Sequence, residues 1–207
     1  MAGIPKISSY QIPRREEIIP NIVHWRITPN EAVLLVHDMQ RFFMRALPRG
    51  IAKPLTGSVA TLIEWARQKS MPVAYTAQPG RMTQEQRGLL RDFWGKGMQA
   101  EPYDREIESS CIAHEDDWRL TKWRYSAFFK TDLLSLMRRN RKRQLIICGV
   151  YAHVGILTTA IESFSHDIET FIVSDAVADF TRNDHLHALN HAVRTCASVV
   201  SVQEILS

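Results

Sequence analysis

Cysteine is scarce in this chain: the 207 residues hold three, Cys111, Cys148 and Cys196. An odd and widely spaced set builds no disulfide framework and matches none of the paired spacings of a zinc site, so the thiols read as reduced and structural. Long apolar runs are missing too, and nothing approaches the ~18 consecutive apolar residues of a membrane span. The stretch from Met1 to Pro20 carries Lys6, Arg14, Arg15, Glu16 and Glu17 among its prolines and no apolar run. That excludes a signal peptide and an anchor there, and the expectation is a cytosolic protein without a membrane partner. Internal repeats and low-complexity segments are also absent.

What is there belongs to an ordinary globular domain, 45% hydrophobic and 23% charged. The length predicts one domain over 1–207, with the proline-punctuated residues 1–30 as an extended arm wrapped on it or reaching a neighbouring subunit. The net charge of +4 is modest, and the one dense basic run is Arg138-Arg139-Asn140-Arg141-Lys142-Arg143. It follows the apolar stretch Leu133 to Met137, so it reads as the cationic end of a helix rather than a nucleic-acid surface. A mildly positive field also suits a small anionic substrate.

Strand-length apolar runs occur at Ala32–Val36, Val73–Thr76, Arg119–Lys122, Leu145–Cys148, Phe171–Val173 and Ser198–Ser201. Helical spacing of apolar residues fills the gaps, at 58–68, 84–93, 131–139, 155–165 and 183–195. The alternation predicts an α/β fold: a largely parallel central sheet of about six strands with helices on both faces, a three-layer sandwich of Rossmann-like type. Such sheets place ligands outside the carboxyl ends of their strands. The polar residues just after each run are therefore the candidates: His37-Asp38, Gln78, Lys122, Tyr151 with His153, and Asp175.

Asp38 follows a buried strand and precedes Met39, Phe42 and Phe43. In an apolar pocket its pKa would rise, making it a general acid, whereas the structural alternative is an N-cap closing the turn. Lys122 at a strand end is either a surface lysine or a buried cation paired with Asp38 or a substrate carboxylate. A lysine beside Asp38 would lower the pKa of the acid, an effect that a substrate carboxylate would offset. Arg87 and Trp94 lie on the helical pattern following Gln78, seven residues apart, about two turns, which puts them on one face. His187 and His191 stand at i, i+4 near His185, but Ala188 occupies the place of the glutamate in the zinc-protease motif, so no metal site is expected.

Several segments together resemble the isochorismatase family within the cysteine-hydrolase-like superfamily. They are Leu34-Leu35-Val36-His37-Asp38-Met39-Gln40, Tyr75-Thr76-Ala77-Gln78-Pro79, Gln86-Arg87-Gly88-Leu89-Leu90, Asp92-Phe93-Trp94-Gly95, Lys122-Trp123-Arg124-Tyr125-Ser126-Ala127-Phe128 and Gly149-Val150-Tyr151-Ala152-His153. In order and spacing they span nearly the whole chain. Thr76 to Gly80, Met82-Thr83 and Glu85 to Leu90 most resemble the phenazine-pathway branch, and no aryl carrier domain is expected after them.

The resemblance implies hydrolysis of a vinyl ether, with pyruvate released from 2-amino-2-deoxyisochorismate or isochorismate. Superfamily amidohydrolases use an Asp, Lys, Cys triad; here Asp38, Lys122 and Gly155 stand at the matching positions, so the nucleophile is gone. By the same resemblance Asp38 protonates the enolpyruvyl methylene. Lys122 and the backbone at Gly155 hold polar groups of the ligand, and Gln78, Arg87, Tyr125 and Tyr151 add polar contacts. Phe42 and Trp94 form apolar walls. No cofactor is implied, the partner being a small chorismate-derived anion, and homodimers or larger homo-oligomers are typical. The rival readings are an amidohydrolase of the nicotinamidase kind and a catalytically silent partner in an assembly.

Overall fold

In the computed structural model, residues 3–99 and 101–207 are described; the first two residues of the arm and Ala100 lie outside them. Six parallel strands form one sheet in the order β3-β2-β1-β4-β5-β6. They are β1 (Ala32–His37), β2 (Val73–Ala77), β3 (Trp118–Thr121), β4 (Gln144–Val150), β5 (Glu169–Ala178) and β6 (Ser198–Val200). In β1 every residue is buried, because both faces of the sheet are covered. Leu34 and Val36 point into one core and Val33 and Leu35 into the other.

The helical segments before β3 are α1 (Arg41–Met44), α2 (Arg49–Gln68), α3 (Gln84–Arg87), α4 (Leu90–Trp94) and α5 (Pro102–Arg105). After it come α6 (Leu133–Arg139), α7 (Leu157–Ser165), α8 (Arg182–Thr195) and α9 (Val202–Leu206). The long α2, with α9 beside it, closes the Leu34 face, while α6, α7 and α8 close the Leu35 face. The helix read at 58–68 begins nine residues earlier and runs through Pro54. Ile51 and Leu55 extend the buried stripe of Val59 and Leu62, and that burial outweighs the one hydrogen bond a proline forfeits. The segment 84–93 is instead broken in two by Gly88, at φ +50°. Among the described residues no helix is long and apolar enough to cross a membrane.

The arm lies on its own domain. Ile7 and Ile18 are buried, Tyr10 reaches Asp179, Asn21 bonds Val199, and Thr28 N–H donates to Gln144. The basic run ends α6 as its composition suggests, and two of its cations tie the domain together. Lys142 Nζ donates to Asn30 O at 2.7 Å, and Arg143 bridges Glu31 at 2.6 Å and Glu169 at 3.2 Å. All three cysteines are free and buried, and burial pushes each thiol above its usual pKa.

The connections run outward from β1 to β3, then return to place β4 on the other side of β1. This reversal opens a crevice at the carboxyl ends of β1 and β4. Asp38 leaves one strand there and Tyr151 the other.

Candidate active site

At that crevice lies a cavity of about 790 Å³. The strand ends supply Asp38, Gln78, Lys122 and Tyr151. Asp38 takes a left-handed φ of 51° directly after β1, turning its carboxylate back over the sheet. Thr76 on the neighbouring strand fixes it from two sides: Asp38 N–H donates to Thr76 Oγ1 at 3.0 Å, and that hydroxyl donates to Asp38 Oδ1 at 2.7 Å. Lys122 Nζ stands 2.9 Å from Oδ2, and the Gln78 amide approaches the same oxygen at 3.4 Å. Asp38 does not cap a helix; the residue before α1 is Gln40.

Lys122 is a buried cation, and its three N–H groups meet Asp38, Arg124 O at 2.8 Å and Tyr125 O at 3.3 Å. It is the counter-ion of Asp38, with no donor left over for a ligand. Two opposed effects were expected at Asp38, burial raising its pKa and a neighbouring lysine lowering it, and the lowering side prevails. Burial does push it upward, but the Lys122 ammonium, His37 and the Thr76 hydroxyl outweigh burial and hold the carboxyl below its ordinary value. In the ligand-free site Asp38 is a carboxylate at neutral pH.

Arg87 differs. Its side chain is only 7% exposed, yet it meets no carboxylate. Nε donates to Gly95 O at 3.1 Å and Nη1 to Gln78 Oε1 at 3.2 Å, and burial lowers its pKa. Gly97, at φ +71°, lies so close that a Cβ there would stand 2.6 Å from the guanidinium carbon. Gln78 therefore links Arg87 to Asp38, and its own backbone is clamped by the buried Gln40, which accepts from Gln78 N–H at 2.7 Å and donates to Gln78 O at 3.0 Å.

Trp94 and Tyr125 pair across the cavity, the indole N–H donating to the phenol oxygen at 2.8 Å. The Tyr125 hydroxyl proton stays free for a ligand. Arg87 and Trp94 both line the cavity even though the helix between them is broken, because Gly88 and Gly95 redirect the chain. Tyr151 donates its hydroxyl to Phe43 O at 2.8 Å, so it presents its ring to the site. Phe42 is in the wall as expected.

Other lining residues carry no signal in local sequence: Phe180 after β5, Lys96, and Gly3 to Ile7 of the arm. They converge through tertiary folding alone. Asp175, proposed for a strand end, sits inside β5, because the β4–β5 pairing continues past a register shift to Ala178. Its carboxylate accepts from Val202 N–H at 2.9 Å, away from the site. His153 is close by but paired outside the cavity lining, its Nδ1 at 2.5 Å from the buried Asp179. That bond raises its pKa. His185 is buried, between Tyr10 and Ser174 O, while His187 and His191 are exposed. Among the described residues no three His, Cys, Asp or Glu side chains converge as a metal site would require.

The lining cations are Lys6, Arg45, Arg87, Lys96 and Lys122, against Asp38 as the acid. Arg45 is paired with Asp104. An anion entering this cavity meets uncompensated positive charge, aromatic walls and one buried carboxylate.

The model of the isochorismatase domain matches residues 32–204. The chain belongs to the isochorismatase family. Within the family it is 50% identical over 206 residues, covering all of both chains, to phenazine biosynthesis protein PhzD1 of Pseudomonas aeruginosa. It is 46% identical to the isochorismatase of Bacillus subtilis, with 99% of this chain and 66% of that one aligned. A cysteine hydrolase from Pseudomonas syringae pv. phaseolicola 1448A shares the fold at a TM-score of 0.80 and 23% identity, over 91% of this chain and 96% of the other. Asp38, Lys122 and Gly155 line one cavity together with Gln78, Arg87 and the aromatic residues.

Proposed function

We propose that this chain is a vinyl-ether hydrolase that releases pyruvate from 2-amino-2-deoxyisochorismate, leaving trans-2,3-dihydro-3-hydroxyanthranilate. Isochorismate, giving 2,3-dihydro-2,3-dihydroxybenzoate, is the alternative substrate. The full-length similarity to a phenazine biosynthesis protein favours the amino compound. The observation that carries the reaction type is a buried Asp38 facing a cation-lined, aromatic-walled cavity whose wall at position 155 offers no nucleophile.

In the proposed reaction Asp38 delivers a proton to the terminal methylene carbon of the enolpyruvyl group, and the ether carbon becomes an oxocarbenium centre. Water adds to that carbon and its proton returns to the Asp38 carboxylate. The hemiketal then breaks its bond to the ring oxygen, yielding pyruvate and the ring alcohol. Placing the acid in a dry site with fixed partners lowers the barrier of a slow carbon protonation.

Lys122 holds Asp38 ionised before substrate binds, so the carboxyl must take up a proton from water as the substrate enters. A substrate carboxylate brought into the same low-dielectric cavity opposes the field of Lys122 and lifts the pKa of the acid. Arg87, buried without a counter-ion, is the proposed partner of one substrate carboxylate, with Tyr125 and the Gly155 backbone as further polar contacts. Phe42, Trp94 and the Tyr151 ring pack the cyclohexadiene. The chemistry uses no metal and no cofactor. In the same proposal the protein is a single-domain cytoplasmic enzyme working as a homodimer or larger homo-oligomer.

The deciding experiment follows pyruvate from both substrates, with chelator present, for wild type and Asp38→Ala. Chelator-resistant release that the substitution abolishes supports the assignment, and the ratio of the two rates decides the preferred substrate. Release from neither substrate, or near-normal turnover in Asp38→Ala, removes it.

A further inference from the structure

We infer that His37 is the residue that sets the reaction class of this site: its imidazole fills the seat that any side chain at position 155 would need, holding that position to glycine. The inference deepens the vinyl-ether reading and rests on it for what the site does in place of covalent catalysis.

The backbone does not ask for glycine at 155, because its φ lies outside the left-handed region. The demand comes from space. A Cβ at this position would overlap His37 Cε1 and stand 2.9 Å from its Nε2, with Tyr125 O at 3.2 Å. The space beside this glycine is filled by a histidine.

That ring has no escape. His37 is 0% exposed, and its Nδ1–H donates to Val150 O at 2.7 Å. Its main chain is paired on both sides, opposite Thr76 of β2 and Gly149 of β4. Its carbonyl is wedged against Gly149, where a Cβ would overlap His37 O. Gly149 and Gly155, six residues apart, thus serve one histidine, the first making room for its backbone and the second for its ring.

The imidazole does not replace the nucleophile it excludes. The ring borders the cavity, but its Nε2 is buried and has no hydrogen-bond partner to orient or activate it. Tyr125 O, 3.2 Å from that Cβ, also receives the Lys122 ammonium at 3.3 Å, so a side chain at 155 would enter the neighbourhood of the Asp38–Lys122 pair. Removing His37 opens the seat, and the rest of the arrangement is already in place.

The test is a double-mutant cycle read by thermal melting and by thiol alkylation. Gly155→Ala in the wild-type background lowers the melting temperature by roughly 5–10 °C, as overpacking a closed site does. In the His37→Val background the penalty of the same alanine falls to less than half, the remainder being its 3.2 Å approach to Tyr125 O, and His37→Thr repeats the cycle with a second side chain of similar size. The thiol introduced by Gly155→Cys reacts with iodoacetamide at least about tenfold faster when combined with His37→Val than alone, with the adduct located by peptide mass. A Gly155→Ala protein that melts like wild type, an alanine penalty equal in both backgrounds, or alkylation of the Gly155→Cys thiol at the same rate with and without His37 would overturn the inference. Neither readout involves substrate, so a failure of the vinyl-ether assignment leaves these outcomes distinguishable.

Discussion

The two ends of the cavity hold their charges in opposite ways. At the sheet end Lys122 is buried with each of its donors engaged, and Asp38 has a partner on each carboxylate oxygen. At the α3–α4 end Arg87 is also buried, less completely, but faces no anion. A buried cation without a counter-charge destabilises a folded protein. Its presence beside a cavity is understandable where a ligand completes the pair. The sheet end is complete within the chain itself, and in the proposed reaction the Arg87 end is completed by substrate.

Replacing Lys122 by Met breaks the completed end and carries the largest expected effect. It leaves a buried carboxylate unpaired, so unfolding free energy at pH 7 falls by about 3–5 kcal/mol. The deficit shrinks as the pH is lowered and Asp38 takes up a proton. Denaturant melts at several pH values measure both effects, and a pH-independent deficit would contradict the counter-ion role.

Arg87→Met sharpens the contrast because its signs differ. Stability stays level or rises, since an uncompensated cation leaves the interior, while KM climbs about 10–100-fold with a smaller change in kcat, as expected for losing a charge-assisted contact to substrate. A protein destabilised like Lys122→Met would show that the two ends are alike after all.

A smaller effect tests the neutral groups between these charges. His37 and His185 are held down at about 4 by burial, whereas an unfolded histidine titrates near 6.5. Below that value the unfolded chain binds protons that the folded rings refuse, so stability falls as the pH drops from 6.5 toward 4, by roughly 2 kcal/mol per ring at pH 5. His153 works against this, because its pairing with Asp179 raises its pKa. Its contribution is full below the unfolded value and is lost as the pH rises through the folded one. Asp38, with its lowered pKa, loses its contribution only at pH values below those where a free aspartate titrates. Calorimetric melts at pH 7 and pH 5 therefore show a net loss on acidification; equal melting temperatures would mean that His153 offsets both buried rings.

Much of this was legible in the sequence because parallel strands buried on both faces announce themselves as short apolar runs, and the residues behind them are placed by topology. Asp38, Gln78, Lys122 and Tyr151 were found that way. Asp175 was misplaced for the same reason, since a strand that continues through a polar residue looks as though it has ended. Gly88 hid the break between α3 and α4 because a single glycine is tolerated inside helical spacing. Lys96, Phe180 and the arm residues reach the cavity across gaps that no local pattern records. The ionisation of Asp38 depends on which of burial and Lys122 prevails, and only distances decide that. His37 read as one more polar residue at a strand end; its contact with Gly155 joins positions that are 118 residues apart.

The wall supplied by the arm has a consequence for how such a pocket diversifies. Gly3 to Ile7 border the cavity but belong to no strand and carry none of the partners of Asp38. Substitutions there alter the cavity wall without touching the register of the sheet or the ion pair at its end. One stretch of the cavity wall and the ion pair at its floor are thus written in separate parts of the chain, and the first can change while the second stays fixed.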